Sequence, residues 1–564
     1  MRQEKKLNKL YKQYLFQKKV NPIESDDEIK KIKKEHIFVL FILCIFLILR
    51  FISWSNVSTV EDHDSINYLL VAKIINSHQW NKLNSIDTFF YPVFINLLYM
   101  IGIKLETAGR IVSMFFSTLF FFIIYLGGKK LTTAKNILIT LLLLSFSPFL
   151  ITFSFSVLSE PTYITIVYIG VMIFWKFIDK PKYLLAFLLG IIFSLSFSAR
   201  TEGISFLFFI PLLQSTYYII WGKKSYSLSK LFTWISLFIV GFSIVTAPII
   251  IFVSNQVGTF SINGRTAWEQ LLKNDKRSYE EKVQGLDFSS SQTNLDYVIS
   301  HPQVIKEKNL SSEFIYNLKL VFNNLKQLSQ NKLSSAVGIF ILAFVGLGIY
   351  HFFIHKRFRE LFFILSFIVI VLIPPMLLSS FIERHIAIVI PLILLLSSAG
   401  IYEFSQKIES IAKEKKLSYF TTQMISIFII TLIAILSLSW LNDALRYPSR
   451  NKEYNMKNYT QPINILKNDI KKHNITDPKL ISRKSYFPFF AGAEPISLPY
   501  TNYPNLVEYI RLNHGNYLFL NYQHLKNYPF LDKFNKTNLP NFILLYDSPD
   551  SSTSKIKLYR FINK

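Results

Sequence analysis

The sequence predicts an α-helical polytopic membrane protein with a small α/β domain at its C-terminal end. Of its 564 residues, 51% are hydrophobic and 16% are aromatic, and the mean hydropathy is +0.31. Soluble domains rarely reach such values. Runs of about twenty apolar residues, the length that crosses a bilayer, recur along the chain and alternate with short basic loops.

The basic residues are explained by the membrane rather than by a nucleic-acid partner. The formal net charge is +26, but most lysines and arginines fall in short loops between apolar segments, as the positive-inside rule requires. Residues 1–36 are polar and basic, and residues 37–53 are apolar and long enough to remain as an anchor, so we expect no cleavable signal. The single cysteine, Cys44, excludes a disulfide within the chain.

The basic loops also decide how often the chain crosses the membrane. If segment 89–105 crossed, a series of basic loops would face outward, against the positive-inside rule. This segment is short and contains Tyr91-Pro92, so we place it as an interfacial helix in the first outer loop. About eleven crossings remain, with the N-terminus in the cytoplasm and the C-terminus outside the plasma (inner) membrane. They are 37–53, 107–127, 135–153, 161–178, 184–199, 203–221, 231–253, 334–354, 359–380, 385–404 and 418–441.

Three parts follow from this topology. Residues 1–36 form a cytoplasmic N-terminus, residues 37–444 form the transmembrane domain with outer loops 54–106 and 254–333, and residues 445–564 form a soluble periplasmic or extracellular domain. Alternating helix and strand patterns predict an α/β fold for the soluble domain. The helices predicted outside the membrane are Ser312–Leu328, Pro462–Lys472 and Leu506–Leu512, and the strands are Lys479–Ser482, Tyr517–Leu520, Phe542–Tyr546 and Ile556–Phe561.

Charged residues beside the apolar segments gather on the predicted outer side. Such groups cost about 2.5–3.5 kcal/mol at the centre of a membrane and less near its surface. Several opposite charges on one face therefore predict a shared pocket. The residues are Asp62 and Asp64, Glu160, Arg200 and Glu202, and Arg384 with His385.

Each of these residues also has a purely structural interpretation. The acidic run 61–64 is typical of a solvated turn that caps a helix, and Glu160 is typical of a helix start. Arg200 would reach the interface with Glu202 as its surface partner. Arg384 would form a rim ion pair of little energy with its own neighbour in the chain.

No metal-binding pattern of clear spacing is evident. His351 and His355 are four residues apart, but they lie at a predicted cytoplasmic border and are interpreted as lipid-interface residues. The need for a cofactor is left open, with a divalent metal ion as one possibility. The chain has no glycine-rich loop of the kind that holds nucleotide phosphates, which argues against an ATP-driven pump.

An ordered series of short motifs runs through residues 37–404. It comprises Asp64, Tyr68 and Ala72-Lys73, then Tyr91-Pro92, Ala108-Gly109-Arg110, Pro148, Ser159-Glu160, Arg200-Thr201-Glu202-Gly203, Glu383-Arg384-His385 and Pro391. This series resembles the GT-C superfamily of membrane glycosyltransferases. Within that superfamily it is similar to the protein O-mannosyltransferases and the lipid A aminoarabinose transferases.

The sequence also departs from these relatives. Residues 90–93 read Phe-Tyr-Pro-Val where aminoarabinose transferases carry Lys-Pro-Pro, so a phosphate-binding lysine is missing there. His385 replaces the usual tyrosine. Ser65 follows Asp64 where the mannosyltransferases have an Asp-Glu pair.

The resemblance implies sugar transfer on the outer face. A polyprenyl-phosphate-linked sugar would be the donor, a glycan, lipid or protein hydroxyl the acceptor, and one displacement would invert the anomeric carbon. Asp64 is the expected general base, with Asp62 as its rival. Arg200 or Arg384 is expected to hold the donor phosphate, because the planar guanidinium matches phosphate oxygens, and Lys73 ranks third.

The other pocket residues implied by the resemblance are Tyr68, Glu160, Glu202 and His385. Glu160 would order the pocket, hold the acceptor, or bind a divalent ion together with Asp62. The sugar, hexose or pentose, is not specified.

Two other classes of function remain open. A lipid or sugar transporter (flippase) would need charged residues or broken helices near the middle of the membrane. A non-catalytic assembly factor for surface glycans would keep full function without Asp64. A polymerase or ligase that transfers a preassembled oligosaccharide is a related enzymatic alternative.

Overall fold

The computed structural model describes residues 22–56, 63–80, 88–222, 226–262, 310–376, 383–414 and 457–562, with short gaps inside several of these ranges. Within them the chain forms a bundle of apolar helices followed by a small domain built on a five-stranded sheet. The predicted fold class is thereby confirmed.

The first part of the bundle contains the helices that carry the first outer loop and its neighbours. They are α1 (Pro22–Asn56), α2 (His63–Asn76), α3 (Phe90–Met100), α4 (Leu105–Gly128), α5 (Ala134–Phe146), α6 (Pro148–Phe155), α7 (Glu160–Phe177) and α8 (Tyr183–Ala199).

The second part begins with a 3₁₀ turn, Thr201–Ser205, and contains a second one, Glu383–Ile386. Its helices are α9 (Phe206–Ile220), α10 (Leu228–Val257), α11 (Leu310–Gln327), α12 (Ile339–Ile354), α13 (Phe358–Met376) and α14 (Ile390–Glu414). Helix α11 coincides closely with the helix predicted over Ser312–Leu328.

The helices support repeated crossing of a membrane. Among the described residues, five helices are long and apolar enough to cross, or six if the bent pair α5 and α6 forms one span. The chain is thus a multi-pass membrane protein. The predicted crossing 385–404 starts later than expected, since α14 begins at Ile390. Segment 418–441 lies outside the described residues, so the total number of crossings and the orientation stay predictions.

Helix α3 is too short to cross. It has 11 residues, which at 1.5 Å per residue is about 16 Å, roughly half the thickness of a hydrocarbon core. Tyr91 and Ile95 are buried on one side of it, where it packs against α2 and α4. The segment predicted to lie in the interface therefore forms a short helix of the expected kind.

A fully buried arginine closes the bend between α5 and α6, which meet at 62° before Pro148. Arg50 of α1 is 1% exposed and donates hydrogen bonds to the carbonyl oxygens of Phe46 at 3.1 Å and Ser145 at 3.2 Å. Its guanidinium also lies 3.3 Å from the centre of the Phe46 ring. Since carbonyls at a helix C-terminus lack partners within the helix, the arginine satisfies them inside an apolar bundle.

Glycines bring two helix pairs into close contact. A Cβ atom on Gly190 of α8 would lie 2.2 Å from the carbonyl oxygen of Phe238 in α10. In the other pair, a Cβ atom on Gly348 of α12 would lie 1.9 Å from the Leu396 carbonyl oxygen of α14. Small residues at such contacts let helix backbones approach closely, which is how helices associate within lipid.

The C-terminal domain contains strands β1 (Lys479–Ser482), β2 (Glu494–Ser497), β3 (Tyr517–Asn521), β4 (Phe542–Asp547) and β5 (Ile556–Phe561). They form a mixed sheet of strand order β2-β1-β3-β5-β4. Strands β1 and β2, and β1 and β3, are parallel, whereas β3 and β5, and β4 and β5, are antiparallel. The four predicted strands and two predicted helices are present, and β2 was not predicted. The helices of this domain are α15 (Lys457–Lys472), α16 (Tyr486–Ala491), α17 (Tyr503–Leu512) and α18 (Leu531–Phe534).

One hydrophobic core joins this domain to helix α2. Ile66 and Leu69 of α2 belong to the same buried cluster as Tyr459, Phe487 and Phe519 of the C-terminal domain. Helix α16 contacts α2 directly. The domain boundary predicted at residue 445 lies outside the described residues. The C-terminal domain therefore supports the helix that carries Asp64.

Two glycines of α12 offer a matched test of the close contact. Gly348→Ala places a methyl group against the α14 backbone, so we expect a clear fall in the thermal unfolding midpoint of the detergent-solubilised protein. Gly346→Ala is the control, because a Cβ atom there meets nothing within 4 Å. It should leave the midpoint unchanged or raise it, since alanine is favoured over glycine in a helix by about 0.8–1 kcal/mol. Equal midpoints for the two variants would contradict the described packing.

Candidate active site

Helix α2 presents Asp64 and Tyr68 one turn apart. Asp64 lies in the first turn of the helix, where the helix dipole favours a negative charge. The Tyr68 hydroxyl lies 2.9 Å from the hydroxyl of Ser159. Burial raises the pKa of Tyr68, and the negative charge of Glu160 adds to that rise. The tyrosine is therefore a neutral hydrogen-bonding group that ties α2 to the start of α7.

Glu160 is the first residue of α7, with proline in the first turn, as the sequence predicts for a helix start. Its side chain is only 3% exposed. A carboxylate this deeply buried needs a positive partner. Glu160 is therefore both a helix start, as predicted, and a buried carboxylate that requires a cation beside it.

Arg200 supplies that partner. It lies between α8 and the turn Thr201–Ser205, and its Nη1 donates to Glu160 Oε1 at 2.6 Å. Its Nη2 donates to Glu202 Oε1 at 3.0 Å. A Cβ atom on Gly203 would lie 2.4 Å from the backbone nitrogen of Phe197, so glycine is required where the turn folds back on α8. The Arg-x-Glu-Gly sequence thus places the Arg200 guanidinium between two carboxylates.

Arg384 brings Asp64 into the same group. Its Nη1 donates to Asp64 Oδ2 at 2.6 Å and lies 4.0 Å from Glu160 Oε1. Burial alone would lower the pKa of Arg384, but Glu160 and Asp64 more than offset this and raise it. Three carboxylates and two guanidiniums therefore form one charged chain, in the order Asp64, Arg384, Glu160, Arg200 and Glu202.

Four of these residues, Glu160, Arg200, Glu202 and Arg384, line a small cleft, and Asp64 contacts Arg384 beside it. Within the described residues, two buried atoms in the cleft have no hydrogen-bond partner, namely Glu160 Oε2 and Arg384 Nε. Unpaired buried polar atoms are costly unless a ligand or water satisfies them. One acceptor and one donor are thus available to a polar ligand. The apolar wall of the cleft includes Val371, Pro375 and Ile388.

Of the other predicted site residues, some line the cleft and others do not. His385 is buried and lines the cleft beside Arg384. Lys73 is exposed in the last turn of α2 and forms no ion pair with a described residue. Asp62 lies outside the described residues. Arg200 and Glu202 do pair, as the structural interpretation expects, but both side chains are mostly buried and are not surface partners.

Sequence reasoning missed the anchor of the interfacial helix and part of the cleft wall. The Tyr91 hydroxyl donates to the Gly109 carbonyl oxygen at 2.9 Å, and its ring meets that of Tyr68 edge-on at 5.3 Å. Tyr163, one turn after Glu160, lines the cleft. The i+3 spacing from Glu160 on one helix face was the available signal for Tyr163.

Comparison with solved structures shows that the chain has a known fold. No family model matches the sequence, and no curated protein matches it significantly. The crystal structure of ArnT from Cupriavidus metallidurans bound to undecaprenyl phosphate aligns with a TM-score of 0.59 and 11% identity, over 93% of this chain and 98% of that chain. The archaeal oligosaccharyltransferase AglB from Archaeoglobus fulgidus, in complex with an inhibitory peptide and a dolichol-phosphate, aligns with a TM-score of 0.52 and 12% identity, over 92% of this chain and 74% of that chain.

Both proteins are GT-C membrane glycosyltransferases. The chain therefore has the GT-C fold, and the fold that the ordered motifs imply is confirmed.

The pairing of Glu160 with Arg200 can be tested by stability. Removing one member of a buried ion pair typically costs about 3–5 kcal/mol, because the remaining charge is left without a partner. We therefore expect Arg200→Met to lower the unfolding midpoint strongly, and Glu160→Gln added to it to restore most of the loss. Glu202→Gln alone should have a smaller effect, since Glu160 still neutralises Arg200. If the double variant were no more stable than Arg200→Met, the two residues would not be coupled.

Proposed function

We propose that this protein is a membrane glycosyltransferase that moves a sugar from a polyprenyl-phosphate carrier to an acceptor hydroxyl on the outer face of the membrane. The observation that carries the proposal is the contact between Asp64 and Arg384. These residues are 320 positions apart and meet at 2.6 Å, beside the cleft that Arg384 lines together with Glu160 and Arg200. A base and a phosphate-binding group are the two functions that this transfer needs from the protein.

The donor class is supported by proteins of the same fold. One neighbour is bound to undecaprenyl phosphate and another is in complex with a dolichol-phosphate and a peptide. By analogy, the donor here is a sugar on a polyprenyl phosphate that enters from the bilayer, and the acceptor is a glycan, lipid or protein hydroxyl.

Arg384 is better placed than Arg200 to receive the donor phosphate. Arg200 is held between two carboxylates and is 12% exposed. Arg384 is 22% exposed and has a buried Nε without a hydrogen-bond partner among the described residues. The departing phosphate monoester, with a second pKa near about 6, needs charge neutralisation, which Arg384 provides in the fork geometry that phosphate oxygens match.

Asp64 acts as the general base in this scheme. While Arg384 contacts it, one carboxylate oxygen of Asp64 is engaged by the guanidinium at 2.6 Å. An arriving phosphate draws the guanidinium toward itself, and Asp64 then accepts the proton of the acceptor hydroxyl as the oxygen attacks the anomeric carbon. The new glycosidic bond forms as the bond to phosphate breaks on the opposite face, so the configuration is inverted. Donor binding thus frees the Asp64 carboxylate from Arg384, so that it can accept the proton.

The remaining cleft residues position these groups. Tyr68 and Ser159 hold α2 against α7, and Glu160 Oε1 lies 2.6 Å from Arg200 and 4.0 Å from Arg384. Glu202 neutralises Arg200, and His385 lines the cleft beside Arg384. Each described carboxylate of this group is paired with an arginine, and no step of the proposed reaction uses a metal ion.

The transporter alternative receives some support from Arg50 and the bent helices α5 and α6, because charge and broken helices inside the bundle are typical of transporters. The Arg50 guanidinium, however, is occupied by carbonyl oxygens and an aromatic ring. It therefore seals a helix end and offers no ready path for a substrate. The transferase remains the better-supported function.

Replacement of the base tests the proposal directly. In membranes with equal amounts of protein, we expect Asp64→Asn to lower transfer of labelled sugar from the polyprenyl-phosphate pool by about 10²–10⁴-fold. Asp62→Asn is the matched control and should retain transfer. Loss of transfer in Asp62→Asn with retention in Asp64→Asn would reverse the assignment of the base. Full transfer by both variants would favour the assembly-factor alternative.

The two arginines should respond differently to the same conservative change. Arg384→Lys loses the forked contact with the leaving phosphate, so we expect a large loss of transfer rate with little change in the unfolding midpoint. Arg200→Lys disturbs the two buried carboxylates, so we expect mainly a lower midpoint. Transfer assays and thermal unfolding of the same two preparations measure both effects. The opposite distribution would move the phosphate site to Arg200.

A further inference from the structure

A second group of polar side chains lies at the other end of the bundle. His351 is in the last turn of α12, His355 follows one turn later, and Glu403 is in α14. The span of α13, from Phe358 to Met376, separates this end from the turn that carries Arg384. The proposed transfer reaction uses none of the three residues.

The helix packing places these side chains face to face. A Cβ atom on Gly400 would lie 2.1 Å from the Phe344 carbonyl oxygen, and one on Gly348 would lie 1.9 Å from the Leu396 carbonyl oxygen. The contact is therefore reciprocal and the two helices run parallel. His351 follows Gly348 by three residues and Glu403 follows Gly400 by three residues. The two side chains consequently meet one turn beyond the closest approach of the backbones.

The ligand atoms are close enough to share one ion. His351 Nδ1 lies 2.8 Å and His355 Nε2 lies 3.4 Å from Glu403 Oε2, and the three atoms all lie within 4.8 Å of one another. Bonds of about 2.0–2.2 Å in a tetrahedral zinc site separate neighbouring ligand atoms by about 3.3–3.5 Å. Small side-chain rotations would therefore admit an ion at the centre of the triangle.

The donor set selects the class of metal. Two neutral imidazoles and one carboxylate suit Zn²⁺ and similar divalent transition metals, whereas Mg²⁺ and Ca²⁺ require mostly oxygen ligands. His351 is 3% exposed and His355 is 52% exposed. A fixed inner ligand and an accessible outer one leave a route for the ion and a fourth position for water.

The cations around the cluster are exposed or paired. Lys356, next to His355, and Lys407, one turn after Glu403, are exposed, and Arg357 is paired with Glu360 at 3.4 Å. Lys135 lies over the ring of Tyr402, 5.6 Å from its centre. Glu403 is the carboxylate that both histidines contact, so its negative charge is available to the metal.

We propose that His351, His355 and Glu403 bind one divalent transition-metal ion of the Zn²⁺ class. The ion would pin α12 to α14 at the end of the bundle opposite the Asp64–Arg384 cleft. Binding of the metal does not depend on sugar transfer, so the metal site can be tested separately from the proposed transferase activity.

Cobalt provides a direct readout of the site. Tag-free, full-length protein in detergent, stripped with a chelator, is titrated with Co²⁺, and we expect saturable visible absorption at one equivalent that Zn²⁺ removes by competition. His355→Asn and Glu403→Gln should each weaken binding at least about tenfold, since even outer-shell changes cost about 10–100-fold in metal affinity. Because His355 lies at the surface, its replacement should leave the unfolding midpoint of the metal-free protein unchanged.

His514→Asn is the matched control. This histidine is exposed in the C-terminal domain and has a positive φ of 52°, which asparagine also tolerates. The control should bind Co²⁺ as the parent does, and Zn²⁺ should raise the unfolding midpoint of both. An absence of saturable cobalt absorption, or an unchanged spectrum in His355→Asn, would overturn the proposal and leave the three residues as a hydrogen-bonded helix contact.

Discussion

The ion pair between Arg200 and Glu160 is the interaction on which the charged cleft depends. Glu160 is almost fully buried, and such a carboxylate is tolerated only with a close positive partner. Because Arg384 also approaches Glu160 at 4.0 Å, the same carboxylate orders the second arginine. Segments from the beginning, middle and end of the membrane domain are thereby brought to one point, and the chemistry of the cleft follows from how their charges are shared.

The apolar bundle satisfies a different constraint, which is that lipid cannot hydrogen-bond to exposed backbone groups. Where α5 ends at Phe146, Arg50 supplies donors to the released carbonyls. Where helices lack large side chains to interlock, as at Gly348 and Gly400, the backbones themselves come into contact. The guanidinium of Arg50 therefore completes backbone structure inside the bundle, whereas the cleft keeps an acceptor on Glu160 and a donor on Arg384 without a partner among the described residues.

Much of this arrangement could be predicted from the sequence, because it follows from the placement of charged residues and the periodicity of apolar ones. The positive-inside rule alone identified the segment that forms the short helix α3, and it placed Asp64, Glu160, Arg200 and Arg384 on one face. It did not reveal which charges pair, because Arg384 and Asp64 meet through the packing of distant helices. For the same reason Glu403 was not recognised as a partner of His351. The short strand β2 carries too few residues for a periodic signal.

The shared core between α2 and the C-terminal domain has a consequence for biosynthesis. An isolated helix of 14 residues, the length of α2, is only marginally stable in water, and its apolar side is completed by Tyr459, Phe487 and Phe519. The segment that carries Asp64 is synthesised well before these packing partners, which lie about 400 residues further along the chain. Until Tyr459, Phe487 and Phe519 have been made, α2 lacks the contacts that complete its apolar side, so Asp64 is not yet held in the position that the folded chain gives it.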